Sequence, residues 1–311
     1  MEQNGIQAVL HCLPPQIRSR IQQLSAAELA QVREIRLRAE RPVCIQIHGR
    51  EQLLQPESVL SQKAVEQVFQ AVCEYSVYRY AKEIAEGFVT IAGGNRVGIA
   101  GSAVYQEGKL VQMRHISGLN FRVSHAVTGC AESLYRRTCA RQPASLLLVG
   151  AVGSGKTTML RDLCRLLGAS HRLTLVDERS EIAAVHHGVP QYDVGLHTDV
   201  LDGFPRAEGL LTALRVMTPE VLVCDEIGTE ADAQAVLRIH GCGVPVIASA
   251  HGTSWEDLER RPVLRQLLEQ GVFRYAAILS VQEQGVVRTL RQVTESCPIT
   301  ARTRPSSSRP T

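Results

Sequence analysis

The chain has 311 residues, of which 44% are hydrophobic and 21% charged, with a net charge of +3 at pH 7. Such a length suggests two domains with real cores, and the charge is too small to imply a nucleic-acid partner by itself. No apolar run approaches the ~20 residues a membrane helix needs, and Met1-Glu2-Gln3-Asn4-Gly5 lacks the basic start and apolar block of a signal peptide. A cytoplasmic chain is therefore expected, touching membranes only through partners. Cysteines at 12, 44, 73, 130, 139, 164, 224, 242 and 297 form no C-x-x-C pair. Buried, reduced thiols are expected rather than zinc ligands or disulfides.

In chain order, Pro14 to Leu24 reads as a short helix opened by Pro-Pro. Glu34–Arg38 and Val43–Ile47 alternate like half-buried strands around a turn at Arg41-Pro42. A long helix is expected over Ser61–Glu86, with Val65, Val68, Phe69, Val72 and Cys73 on one face and Ser61 as N-cap. The period then falls to two, over Phe88–Ile91, Arg96–Ala100 and Ser102–Tyr105. Turns fall at Gly93-Gly94-Asn95 and Glu107-Gly108, and a further strand near Ile116–Val123. Residues 1–125 thus form a small α+β N-terminal domain, followed by a linker or helix over 126–143.

From residue 144 strands and helices alternate, which implies a mostly parallel sheet covered on both faces, an α/β domain over 144–295. Strands are expected at 145–149, 172–177, 220–225, 244–250 and 275–281, with a hairpin strand near 286–293. Residues 296–311, rich in Ser, Pro, Thr and Arg, read as a disordered tail.

The segment Gly150-Ala151-Val152-Gly153-Ser154-Gly155-Lys156-Thr157-Thr158 fits G-x-x-x-x-G-K-[ST]. It follows the apolar run Leu146–Val149 and precedes a helical pattern over Met159–Leu167 that stops at Gly168. Glycines let backbone N–H groups face phosphate oxygens, and the positive end of the helix adds to that field. Lys156 would reach the β- and γ-phosphates of ATP and Thr157 would hold Mg²⁺. The glycine spacing, G-x-x-G-x-G, does not suit dinucleotide binding.

The buried run Val221–Cys224 ends at Asp225-Glu226. Asp225 is the expected Mg²⁺ partner and Glu226 the group that polarises the attacking water. A second acid beside the magnesium aspartate suggests an ATP-hydrolysing, RecA-like branch. Asp177 and Glu178, at another strand end, either support Mg²⁺ or the catalytic water or are helix-start acids favoured by the dipole. His251 ends a core strand and either senses the γ-phosphate or is structural. Arg215 lies on an amphipathic helix, Gly209–Glu220, running into the Asp-Glu strand. It reads as a phosphate-side or intersubunit residue, or a surface charge.

This succession of phosphate loop, acidic box, Leu-Leu-x-x-x-Leu-Arg helix and histidine box resembles the secretion ATPases of type II and type IV systems. The longer strings Asp177–Ala183, Gly188–Gly195, Thr198–Asp202, Asp225–Gly228, Glu34–Arg38 and Gly94–Gly101 are similar to those of the stage III sporulation protein AA family within that superfamily. The resemblance covers residues 30–293. It implies a hexameric ATPase on the mother-cell face of the membrane around the forespore, energising a secretion-like channel with membrane proteins as partners. Departures are Ala151-Val152-Gly153-Ser154 in place of Pro-Pro-Gly-Cys, His197 in place of an arginine, and Gly228 where pilus and type II enzymes carry an arginine. Arg122 is the candidate N-domain arginine completing an active site between subunits.

The alternative is a nucleic-acid-stimulated ATPase. An aromatic content of 4% and the absence of a basic-aromatic run speak against it. A nucleotide switch without turnover is the third reading, and Glu226 speaks against that.

Overall fold

A computed structural model describes residues 4–55, 58–125 and 127–293; the tail read over 296–311 and Cys297 lie outside them. The chain divides into two compact units. The first runs up to Thr128 and includes Ala183–Asp193; the second comprises Gly129–Ile182 and the chain from Val194 onward. The segment 183–193, drawn by the sequence reading into the 144–295 domain, therefore groups with the first unit. Its side chains explain why: Gln191 Oε1 accepts from Gly93 N at 2.7 Å, and Tyr192 meets the hydroxyl of Ser124.

The first unit is built on β1 (Val32–Arg38), β2 (Cys44–Ile47), β3 (Arg50–Leu53), β4 (Phe88–Ile91), β5 (Asn95–Gln106) and β6 (Lys109–Arg122). Their order is β3-β2-β1-β6-β5-β4, with antiparallel neighbours. Ile35, Leu37, Ile45, Val97 and Phe121 are buried on it. Helix Gln62–Val72 presents Val65, Val68, Phe69 and Val72 to the same core, and the Ser61 hydroxyl accepts its Ala64 N–H at 3.2 Å. Each such side chain contributes about 1.5–3 kcal/mol by burial.

Three sequence expectations are revised here. The helix expected over 61–86 stops at Val72, because Glu74 and Tyr75 take positive φ (49° and 58°). A 3-10 turn (Val77–Tyr80) and a short helix (Ala81–Ala85) follow. The two strands expected over 96–105 are one. Gly101 does not break it but gives room for a bulge, since a Cβ there would lie 2.9 Å from the Arg114 carbonyl. Strand β3 carries no sequence signal, because all four of its residues are exposed and show no alternation.

The second unit carries β7 (Leu146–Gly150), β8 (Leu173–Asp177), β9 (Thr198–Asp202), β10 (Val221–Cys224), β11 (Val246–His251), β12 (Tyr275–Leu279) and β13 (Val287–Gln292). The order is β13-β12-β7-β11-β10-β8-β9, parallel throughout except for the β12–β13 hairpin. Strands β7, β8 and β10 are wholly buried, β7 and β10 as unbroken apolar runs and β8 with Thr174 and Asp177 among its buried residues. The helix expected over 209–220 spans Arg206–Val216 and ends where Thr218 takes φ 46° before Pro219. The order places β11 between β7 and β10. Whatever leaves the carboxyl ends of β7 and β10 therefore flanks the end of β11, the crevice where open α/β sheets bind ligands.

Candidate nucleotide site

The loop after β7 turns on two glycines in the left-handed region, Gly153 (φ 78°) and Gly155 (φ 94°). At Gly155 a side chain is excluded twice, by φ and by space. A Cβ would sit 2.9 Å from Gly285 N in the β12–β13 turn, and that amide donates to the Ser154 carbonyl at 2.9 Å. Buried Ser154 donates its hydroxyl to Ala151 O at 2.9 Å, while Val152 stands exposed at the tip. Helix Lys156–Leu167 starts directly from Gly155, held down by buried Met159, Leu160, Leu163, Cys164 and Leu167. Its first-turn N–H groups thus face the loop. The Lys156 ammonium donates to the carbonyls of Gly150 (2.9 Å) and Ala151 (3.0 Å), which fixes its charge across the loop. Thr158 lies in the same first turn, and its carbonyl accepts from the Cys130 thiol at 3.8 Å.

Thr157 and Asp225 converge. The Thr157 hydroxyl lies 3.3 Å from Asp225 Oδ2, and the other Asp225 oxygen accepts from the Ser249 hydroxyl of β11. Ser249, fully buried, also accepts the Glu226 N–H at 2.9 Å. One serine thus holds the Asp225 carboxylate and the Glu226 backbone. Glu226 sits at φ 50° and its carboxylate pairs with Arg179 at 3.6 Å. A hydroxyl and a carboxylate oxygen at this separation, beside a fixed lysine and a glycine cradle, form a hard oxygen donor set that suits Mg²⁺ and a triphosphate.

The remaining candidates have different neighbours. Asp177 is buried and its two oxygens accept the amides of Glu181 (2.9 Å) and Ile182 (3.0 Å), so it builds the turn after β8. Glu178 pairs with Arg206 at 2.8 Å, and Arg206 also reaches Asp232 at 3.1 Å. His251 is in register with Gly150 on β7, beside the phosphate loop, and its Nδ1 lies 3.2 Å from an Arg261 guanidinium nitrogen. Arg215 is exposed and donates to Thr212 on its own helix at 3.3 Å. Arg122 ends β6 in the first unit, exposed. Ser249, Arg206 and Arg261 were not singled out from sequence. Ser249 alone carried a signal there, as the one polar residue in the buried run Val246–Ala250.

Burial pushes the Cys224 thiol, next to Asp225, up to about 12. The thiol stays protonated and is no nucleophile. Among the described residues the eight cysteines are free, most of them buried or half-buried.

Sequence comparison adds the family. The sporulation stage III, protein AA family matches residues 3–294. The chain belongs to that family. It is 35% identical over 286 residues to the stage III sporulation protein AA of Bacillus subtilis, covering 90% of this chain and 92% of that protein. Among solved structures it is similar to the Legionella pneumophila ATPase DotB, with a TM-score of 0.54 at 16% identity, covering 88% of this chain and 80% of that one. It is likewise similar to the pilus retraction motor PilT with bound ADP, with a TM-score of 0.55 at 17% identity, covering 86% and 82%. These likenesses fix the fold as mixed α/β with a RecA-like P-loop core.

Proposed function

We propose that this protein hydrolyses ATP and uses the energy to drive a membrane-associated, secretion-like channel complex during endospore formation. The observation that carries the reading is the convergence of Lys156, Thr157, Asp225 and Glu226 at the carboxyl ends of β7 and β10. Loop amides and the helix start receive the phosphates, and Lys156 supplies the point charge on them. Thr157 and Asp225 are the residues that would hold Mg²⁺, which when bound neutralises charge on the phosphates. Glu226 accepts a proton from the attacking water as the oxygen bonds to the γ-phosphorus. The bond to the bridging oxygen breaks and its electron pair leaves with ADP. Ser249 keeps the Glu226 backbone in place for that role. Family membership supports the sporulation setting, and fold likeness to secretion and pilus ATPases supports the motor role. A ring assembly, with Arg122 of a neighbour completing the charge, belongs to the same proposal.

Glu226→Gln tests it. The amide keeps the size and can still touch water but cannot take the proton. Single-turnover hydrolysis should fall by roughly 10²–10⁴-fold, about 3–5 kcal/mol of barrier, while ATP binding persists. Unchanged turnover would remove Glu226 from the chemistry. Lost binding would make it structural.

A further inference from the structure

Away from the nucleotide site, the first unit brings together three side chains that ligate metals. Glu74 follows helix Gln62–Val72 at φ 49°. His186 and His187 come from Ala183–Asp193, the later segment that belongs to the same unit. His187 Nε2 lies 2.9 and 2.8 Å from the two oxygens of Glu74, and His186 Nε2 lies 3.3 Å from one of them. One donor atom from each residue falls within 4.8 Å of the others. The two imidazole rings stand 4.1 Å apart at 45°, so both turn toward one carboxylate without stacking flat.

At 2.8–3.3 Å the cluster is hydrogen-bonded and ion-paired, and its spacing is close to that of a cation cage. Around tetrahedral zinc, donors at about 2.0–2.2 Å from the metal stand roughly 3.3–3.5 Å from one another. His187 Nε2 and the Glu74 oxygens, 2.8–2.9 Å apart, need to separate by about half an ångström to reach that spacing, a rotamer adjustment for two side chains that are more than a third exposed (Glu74 41%, His187 42%), and His186 Nε2, 3.3 Å from Glu74, already stands at it. The third, His186, is 13% exposed, so its ring is held by the surrounding unit. Two imidazoles and one carboxylate suit zinc and its d-block neighbours, whereas Mg²⁺ prefers an all-oxygen set.

We propose that Glu74, His186 and His187 bind one divalent cation of the zinc class. The cation leaves a coordination position for water or another small ligand. Glu74 and His186 line a cleft of about 470 Å³ with Gln7, His11, Cys12 and Gln191, which gives such a ligand room. The cation clamps segments 113 residues apart in sequence. It therefore ties the 183–193 segment to the rest of its unit, and binding adds to stability.

The test uses the metal-free full chain with excess Mg²⁺ and no nucleotide, so the proposal is judged apart from ATP hydrolysis. Zn²⁺ is titrated against a chromophoric chelator, and Tm is followed with and without Zn²⁺. One equivalent should bind with Kd below about 1 μM and raise Tm. His186→Ala/His187→Ala should weaken binding by at least about 100-fold and abolish the Tm rise. Should that double variant lose its circular dichroism, Glu74→Gln, altering an exposed side chain, carries the same comparison. Undiminished binding in the folded variant overturns the proposal. So does a thiolate charge-transfer band on Co²⁺ substitution that persists in the folded His186→Ala/His187→Ala variant, which would assign the metal to cysteines.

Discussion

Ser249 shows how much of this site depends on a residue that does no chemistry. Its hydroxyl donates to Asp225 and accepts the Glu226 N–H, so one small side chain on β11 holds the Asp225 carboxylate and the Glu226 backbone just past the end of β10. Ser249→Ala removes that link and leaves the Glu226 amide without its acceptor, at a cost of about 1–3 kcal/mol. The urea midpoint should drop accordingly and hydrolysis should fall with it, while Ser249→Thr keeps the hydroxyl and should recover much of both. A midpoint unchanged in the alanine variant would show that the bond contributes nothing. Lys156, Thr157, Asp225 and Glu226 were legible in the sequence because each belongs to a contiguous motif whose spacing is set by local geometry. Ser249, Arg206 and Arg261 were not. Their partners lie 24, 26 and 10 residues away, and only the strand order and helix packing bring them together.

At the level of elements, helix Glu230–Gly241 is held by an acid that has no contact with the phosphate loop. Asp232 closes a capping box with Thr229, accepts the amides of Gly228 (3.1 Å) and Thr229 (2.9 Å), and pairs with Arg206 at 3.1 Å. Burial alone would raise its pKa, but the two amides and Arg206 outweigh burial and hold the carboxyl below the usual range. The same balance lowers buried Asp162, which accepts from Ala131 N and Arg165. Because the folded pKa of each lies below its unfolded value, near 3.9, their stabilisation is complete above that pH. It is lost as pH falls through the folded values. Urea midpoints should hold from pH 7 to about 5 and decline below 4, and Asp232→Asn should flatten the decline. An equal slope in that variant would assign the acid sensitivity elsewhere. Legibility at this scale mostly follows burial, with β13, expected near 286–293 although none of its residues is buried, as the exception. Strands β7, β8, β10, β11 and β12 announce themselves as apolar runs. Edge strands β3 and β9, with exposed and acidic positions such as Asp199 and Asp202, take their conformation from a neighbour and leave no periodic trace.

For the whole molecule, the proposed ring involves more than one chain. Arg122 is exposed at the end of β6, where its charge carries no cost of burial. In the proposed assembly it serves the phosphates of an adjoining subunit, as positive charge supplied in trans does in other phosphoryl-transfer enzymes. Lys156→Ala subunits should fold, since alanine suits the helix start at Lys156 and the side-chain hydrogen bonds lost are those to the Gly150 and Ala151 carbonyls. They should still present Arg122 to a neighbour while binding no ATP themselves. Titrating them into parent protein at constant total concentration then separates two cases. Independent sites lose turnover in proportion to the fraction replaced. Coupled sites lose it faster, because an inert subunit slows the neighbours that must act in turn with it without silencing every interface of the ring. Arg122→Ala subunits should complement Lys156→Ala subunits in part, since some interfaces in the mixture pair an intact loop with an intact arginine. A strictly linear loss in the first titration, together with no recovery in the second, would mean that each chain works alone and that Arg122 acts in no neighbour's site.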